Sequence, residues 1–148
     1  MARSYSAMRR VEFRETDAAG ICHFSSFFGY MEEAEHALLR DIGLSVVMQD
    51  EGRTISWPRV NASCDYIGAA LFEDVLQVEV GISRLGQKSV TYQFKFSKDN
   101  KVVANGTMTS VCCIMHTGDA PEAIQIPHSI GQLLEPYVEA PEEEVKDD

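Results

Sequence analysis

Residues 17–23 of this 148-residue chain, Asp-Ala-Ala-Gly-Ile-Cys-His, set a carboxylate and an imidazole around a turn of small residues. A carboxylate so placed could attack an electrophilic carbon or take a proton from water. It could equally cap the backbone that follows. A helix starting just downstream would favour its ionised form in either role. Imidazole is the side chain most ready to exchange a proton at neutral pH, so His23 could orient water or substrate, or act as a hydrogen-bonded structural group. Gly20 reads as a residue needing positive φ or a close ligand approach.

A second group could bind rather than react. Between residues 84 and 101, Arg84, Lys88, Lys95, Lys98 and Lys101 are opposed by Asp99 alone, a net of +4 within a chain of net charge -10. A local basic patch suits phosphate, whereas the acidic total argues against a general nucleic-acid surface. Cys22, Cys64, Cys112 and Cys113 fit neither a disulfide framework nor a CxxC metal spacing. We expect reduced structural thiols. His36, His116 and His128 show no ligand spacing and are expected at the surface, with no metal.

These residues need elements to hold them. Apolar residues at Phe24, Phe27, Phe28, Met31, Ala34, Leu38, Leu39 and Ile42 recur every three or four positions, predicting a helix from about Ser26 to Ile42. Gly43 and Leu44 read as its stop. Ahead of it, Arg9 to Arg14 alternates as a short strand with Val11 and Phe13 inward; residues 45–54 read as irregular. Pro58 opens a strand in which Val60, Ala62, Cys64 and Tyr66 share a face. Leu76, Val78, Val80 and Ile82 mark the next strand, and Val90, Tyr92, Phe94 and Phe96 the one after. A last strand, from about Val102 to Met115, turns Ala104, Gly106, Met108, Ser110, Cys112 and Ile114 inward, small enough to admit a helix. Thr117 to Pro127 reads as loop and Ile130 to Tyr137 as a short terminal helix.

One helix followed by four meander-like strands predicts an α+β protein, an antiparallel sheet curled around a helix. Such a sheet leaves edges uncovered, so at least a dimer is expected. The length suits one domain, residues 1–138. Residues 139–148, EAPEEEVKDD, carry six acids and one lysine and are expected to be a disordered tail. No apolar run is long enough for a transmembrane helix. The start, MARSYSAMRR, lacks the apolar region of a secretory signal, so a cytoplasmic location is expected.

The stretch VEFRETDAAGICHFSSFFGYMEEAEHALLRDIGL resembles the start of the 4-hydroxybenzoyl-CoA thioesterase family, within the hotdog-fold acyl-CoA thioesterases. That pattern is a strand, a D-x-A-G-I turn (Asp17, Ala19, Gly20, Ile21) and the long helix, with Tyr30 and Glu32 where relatives carry an aromatic and an acid. WPRVNASCDYIGAALFEDVLQVEV resembles the family's second and third strands. The likeness covers about residues 8–137. It departs at His23-Phe24-Ser25-Ser26, where the histidine sits one place early and serine replaces an asparagine.

The resemblance implies hydrolysis of an acyl- or aroyl-CoA thioester to free acid and CoA, with Asp17 as nucleophile or general base. A thiolate (thiol pKa about 8.5) leaves readily, so little acid help is needed. Oxyanion donors are implied in the loop entering the second strand, at the amide of Ser56 or Trp57, offered to the partner subunit's Asp17. Catalytic residues are thus expected at Asp17, His23, Ser56 and Trp57. Substrate contacts are expected at Gly20, Phe24, Ser26, Trp57, Lys88 and Ser89, with Lys88 on a coenzyme A phosphate. The implied partners are an acyl-CoA substrate and further copies in a homodimer or homotetramer, with no nucleic acid, membrane or separate cofactor. Two other readings share the fold. One is a hotdog hydratase or dehydratase, whose His-Phe-Pro motif His23-Phe24-Ser25 echoes. The other is a non-catalytic acyl-CoA binding module, whose signature would be loss of the aspartate.

Overall fold

Alternation of apolar and polar residues dictates most of the architecture. In order, the chain forms β1 (Tyr5–Arg10), α1 (Ser26–Asp41), β2 (Met48–Asp50), β3 (Arg53–Ser56), β4 (Arg59–Tyr66), β5 (Val75–Leu85) and β6 (Ser89–Lys98). There follow β7 (Lys101–Val111), β8 (Cys113–Ile114), β9 (Glu122–Ala123) and α2 (His128–Leu134). This computed structural model describes residues 2–139.

A five-stranded antiparallel sheet has the order β1-β5-β6-β7-β4. Its centre is the expected meander, with Val78 opposite Phe96 and Phe94 opposite Gly106. The inner faces of β5 and β6 are buried throughout, from Leu76 to Ile82 and from Val90 to Phe96. β4 does not extend that meander. It crosses over to pair with β7, Cys64 opposite Gly106, while β1 closes the other edge on β5. Small and polar residues make β4 exposed along most of its length, which suits an edge and would waste a central position.

Other differences from the sequence reading are local. Residues 45–54 are a hairpin rather than irregular, because Glu51 (φ 49) and Gly52 (φ 78) form a two-residue turn of positive φ between β2 and β3. The last strand breaks at Cys112, whose N–H goes to Lys88 O (2.7 Å), and Cys113 and Ile114 leave to pair with β3 in a second sheet, β2-β3-β8-β9. The first strand ends at Arg10. Glu15 captures the Glu12 N–H (2.8 Å) and a 3-10 turn forms at Phe13–Glu15, leaving Phe13 77% exposed instead of inward.

α1 buries Phe27, Tyr30, Met31, Ala34, Glu35, Leu38 and Leu39 against the sheet and turns Glu32, Glu33, Arg40 and Asp41 to solvent. Gly43 takes φ +82, and the Leu44 N–H returns to Leu39 O at 2.7 Å, the expected stop. α2 buries Ile130 and Leu134, and a 3-10 turn follows at Glu135–Tyr137. The Glu139 N–H reaches Ile82 O (2.8 Å), so this first acid of the expected tail joins the fold; residues 140–148 lie outside the described residues. All four cysteines are free. No helix among the described residues is long and apolar enough to cross a membrane.

Candidate active site

The turn around Asp17 is closed by its own backbone: Gly20 N–H to Asp17 O at 3.0 Å and Asp17 N–H to Ile21 O at 2.9 Å. Gly20 has φ +81, a conformation other residues rarely adopt. Asp17 Oδ1 accepts the Ala19 N–H (2.8 Å) and, more weakly, the Ile21 N–H (3.4 Å). Oδ2 accepts no hydrogen bond from a described residue. The carboxylate therefore caps its own turn, and α1 begins nine residues later, at Ser26. The turn is anchored to the loop after β4 through Cys22 N–H to Ala70 O (2.7 Å) and an Ile21–Leu71 bridge.

Glu15 is the hub beneath that turn. Its carboxylate takes both Arg9 terminal nitrogens (2.7 and 2.9 Å), the Tyr30 hydroxyl (3.0 Å) and the Glu12 N–H. Its carbonyl takes the His23 N–H (2.7 Å) and the Ser26 hydroxyl (3.1 Å). Burial opposes the Glu15 charge, but these donors prevail and hold it below the ordinary carboxylate range. Arg9 also lies over the Tyr30 ring, 4.7 Å from its centroid, and burial pushes the Tyr30 phenol and Cys22 thiol upward. β1, the Asp17 turn and α1 are thus tied at one point. Sequence reasoning passed over Glu15 and Arg9, because no local spacing announces a pairing between a strand, a turn and a helix.

His23 is half-buried, with Nδ1 2.7 Å from Ser25 Oγ and accepting the Ser25 N–H at 3.2 Å. Its ring stacks on the exposed Phe24 (4.5 Å between centroids), and Phe24 O accepts the Tyr66 hydroxyl at 2.7 Å. No hydrogen bond joins His23 to Asp17. Gly20, His23, Phe24 and Ser26 therefore gather with Asp17 at the Tyr66 end of β4.

The other expected residues gather at the opposite end. Ser56 and Trp57 are buried. Pro58 O accepts the Val111 N–H (3.0 Å), Lys88 O accepts the Cys112 N–H, and Ser89 pairs with Val111. Lys95 and Lys98 are occupied by Glu79 (3.4 Å) and Asp74 (2.7 Å), whereas exposed Lys88 has no ion-pair partner among the described residues. β4 separates the two groups by eight residues, about 25 Å of strand. Two surface grooves, of about 330 and 390 Å³, include neither Asp17 nor Trp57. No group of three or more metal-binding side chains occurs among the described residues.

A buried charge that sequence reasoning missed lies near the second group. Glu35, to which the sequence reading assigned no place, is fully buried and pairs with Arg59 Nη2 at 2.6 Å. Burial pushes its carboxyl up to about 7 against the pull of Arg59. The signal available was its place among Met31, Ala34, Leu38 and Leu39 on the apolar stripe.

Known proteins share the sequence pattern and the fold of this chain. A family model described as the thioesterase-like superfamily matches residues 11–134. A protein of Aquifex aeolicus (strain VF5) that carries only a general esterase name is 32% identical over 127 residues, 85% of this chain and 94% of its own. A 4-hydroxybenzoyl-CoA thioesterase of Pseudomonas sp. (strain CBS-3) is 27% identical over 134 residues, 86% of this chain and 94% of its own. The solved structure of a gentisyl-coenzyme A thioesterase superposes with a TM-score of 0.75 at 26% identity, covering 88% of this chain and 99% of that one. With its antiparallel sheet, its few helices and a match running from the end of β1 to the end of α2, the chain belongs to the thioesterase-like superfamily and is a thioester hydrolase.

Proposed function

We propose that the protein hydrolyses an acyl- or aroyl-CoA thioester to the free acid and CoA, with Asp17 as nucleophile or general base, in a homodimer of hotdog units. The observation that carries this reading is the half-held Asp17 carboxylate. Oδ1 is fixed by turn amides and Oδ2, with no hydrogen bond from a described residue, is left to react. In one route Oδ2 attacks the thioester carbon, the thiolate of CoA leaves, and water cleaves the resulting anhydride. In the other, Asp17 takes a proton from the attacking water.

The separation of the two residue groups supports the dimer. β4 is an edge strand with Val60 and Tyr66 exposed. Antiparallel pairing of β4 with a second copy about a twofold axis would set the Trp57 end of one strand beside the Tyr66 end of the other. Each site would then combine Asp17 from one copy with Trp57 and Lys88 from its partner. Ser56 sits in the β3 ladder opposite Cys113 and Trp57 lies just past it, which favours the Trp57 amide as oxyanion donor. Lys88, with no ion-pair partner among the described residues, suits a phosphate of coenzyme A, which arrives as part of the substrate. The names of the similar thioesterases put hydroxylated aroyl-CoA thioesters first in the panel to be tried.

The test is thiol release from such a panel by the wild type and by Asp17→Asn, alongside melting temperatures. The expected result is a fall in kcat of at least about a hundredfold in a folded variant. Near-normal turnover by a folded Asp17→Asn protein would overturn the role of Asp17.

A further inference from the structure

Three buried side-chain atoms among the described residues lack a hydrogen-bond partner: Glu35 Oε2, Arg59 Nε and Ser56 Oγ. Two of them belong to the one ion pair, and the third lies three residues before Arg59. Arg59 spans three groups with one fork. Nη2 holds Glu35 Oε1, while Nη1 donates to the Trp57 carbonyl at 2.8 Å and to Ser110 Oγ at 3.2 Å. A buried ion pair left incompletely bonded is a poor way to gain stability, since apolar residues of like volume usually serve as well or better. Its retention in the core calls for another use, and the Trp57 carbonyl supplies one.

We propose that Glu35 is a positioning residue: through Arg59 it holds the Trp57 carbonyl, and so sets the segment Trp57–Pro58 that faces the substrate. The inference rests on the reading of that segment as part of the site. A carboxylate in the middle of α1 thereby acts on the loop between β3 and β4, which α1 does not otherwise hydrogen-bond. The groups around Glu35 are Arg59 from β4, Tyr92 from β6 and Ser110 from β7, with His36 (3.7 Å) and Glu32 on α1 itself. Losing the Glu35 charge frees the Arg59 fork, so the hold on Trp57 should weaken as the solution is acidified through neutrality.

Trp57 is the single tryptophan, so its fluorescence reports on the segment without reference to activity. In the full-length protein we expect one emission transition centred near pH 7, absent from Glu35→Gln and kept by His36→Gln. Arg59→Lys keeps a cation for Glu35 but cannot also hold Trp57 O and Ser110. It should fold, shift Trp57 emission and lower kcat/KM on the best thioester about ten- to a hundredfold, mainly in kcat. Flat wild-type emission between pH 5.5 and 8.5, or a transition surviving in Glu35→Gln, would overturn the proposal. Wild-type kinetics in Arg59→Lys would overturn it as well. Absence of turnover on every thioester would instead count against the functional reading, and the fluorescence would still decide the coupling of Glu35 to Trp57.

Discussion

Gly106 of β7 is where the sheet makes room for Met31 of α1. A Cβ at position 106 would overlap Met31 Sδ and lie 3.3 Å from both Met31 Cε and the Ser63 carbonyl oxygen. Met31 is fully buried and has little freedom to withdraw. Gly106→Ala should therefore destabilise the protein by about 1–3 kcal/mol through overpacking. Met31→Ala alone should cost about 2–5 kcal/mol through a cavity. The double variant should be more stable than the sum of the two, since each lesion relieves the other. Strict additivity in chemical denaturation would mean that the helix does not sit on Gly106.

A site shared between copies predicts a particular rescue. Asp17→Asn and Trp57→Ala homodimers should each be impaired, the second because loss of the buried indole unseats the segment that carries the oxyanion amide. In a mixed dimer both lesions fall in one site, leaving the other with an intact Asp17 and an intact Trp57. Co-expressed and purified by two tags, the mixed dimer should recover about half of the wild-type kcat, one site of two. Recovery no better than that of the parents would place Asp17 and Trp57 in independent sites. Val60→Asp, which puts a charge on the exposed β4 edge, should at the same time shift the protein toward monomer in sedimentation.

The stability of the fold should carry the signature of Glu35. Its folded-state value is raised from 4.5 to about 7 by burial. A raised value means that the folded state binds the proton more tightly. The stabilising contribution is therefore complete below about pH 4.5 and is lost as pH rises through about 7. Relative to Glu35→Gln, the wild type should lose up to about 3 kcal/mol of its advantage between pH 4.5 and pH 8. Urea denaturation of both proteins across that range measures it. An advantage that grows with pH would show that the ionised pair is the favoured form.

Much of this architecture was legible from residue order alone because its causes are local. Two-residue alternation marks the inward faces of β5 and β6, and three-to-four spacing with Gly43-Leu44 marks α1 and its end. The Asp17–Gly20 turn was visible for the same reason: a small-residue run and one glycine at positive φ are decided within four positions. Tertiary structure decided the rest, because it depends on which distant surfaces meet. Alternation says which face of β4 is apolar but not that β4 lies at an edge on β7, and that placement sets Asp17 and Trp57 at opposite ends of one strand. Arg9 and Glu15 became a hub only when Tyr30 was packed beside them. Glu35 drew no reading from residue order; burial against the sheet, with Arg59 as its counter-charge, made it a buried acid. Charges change meaning with their surroundings, and a linear order of residues does not contain the surroundings.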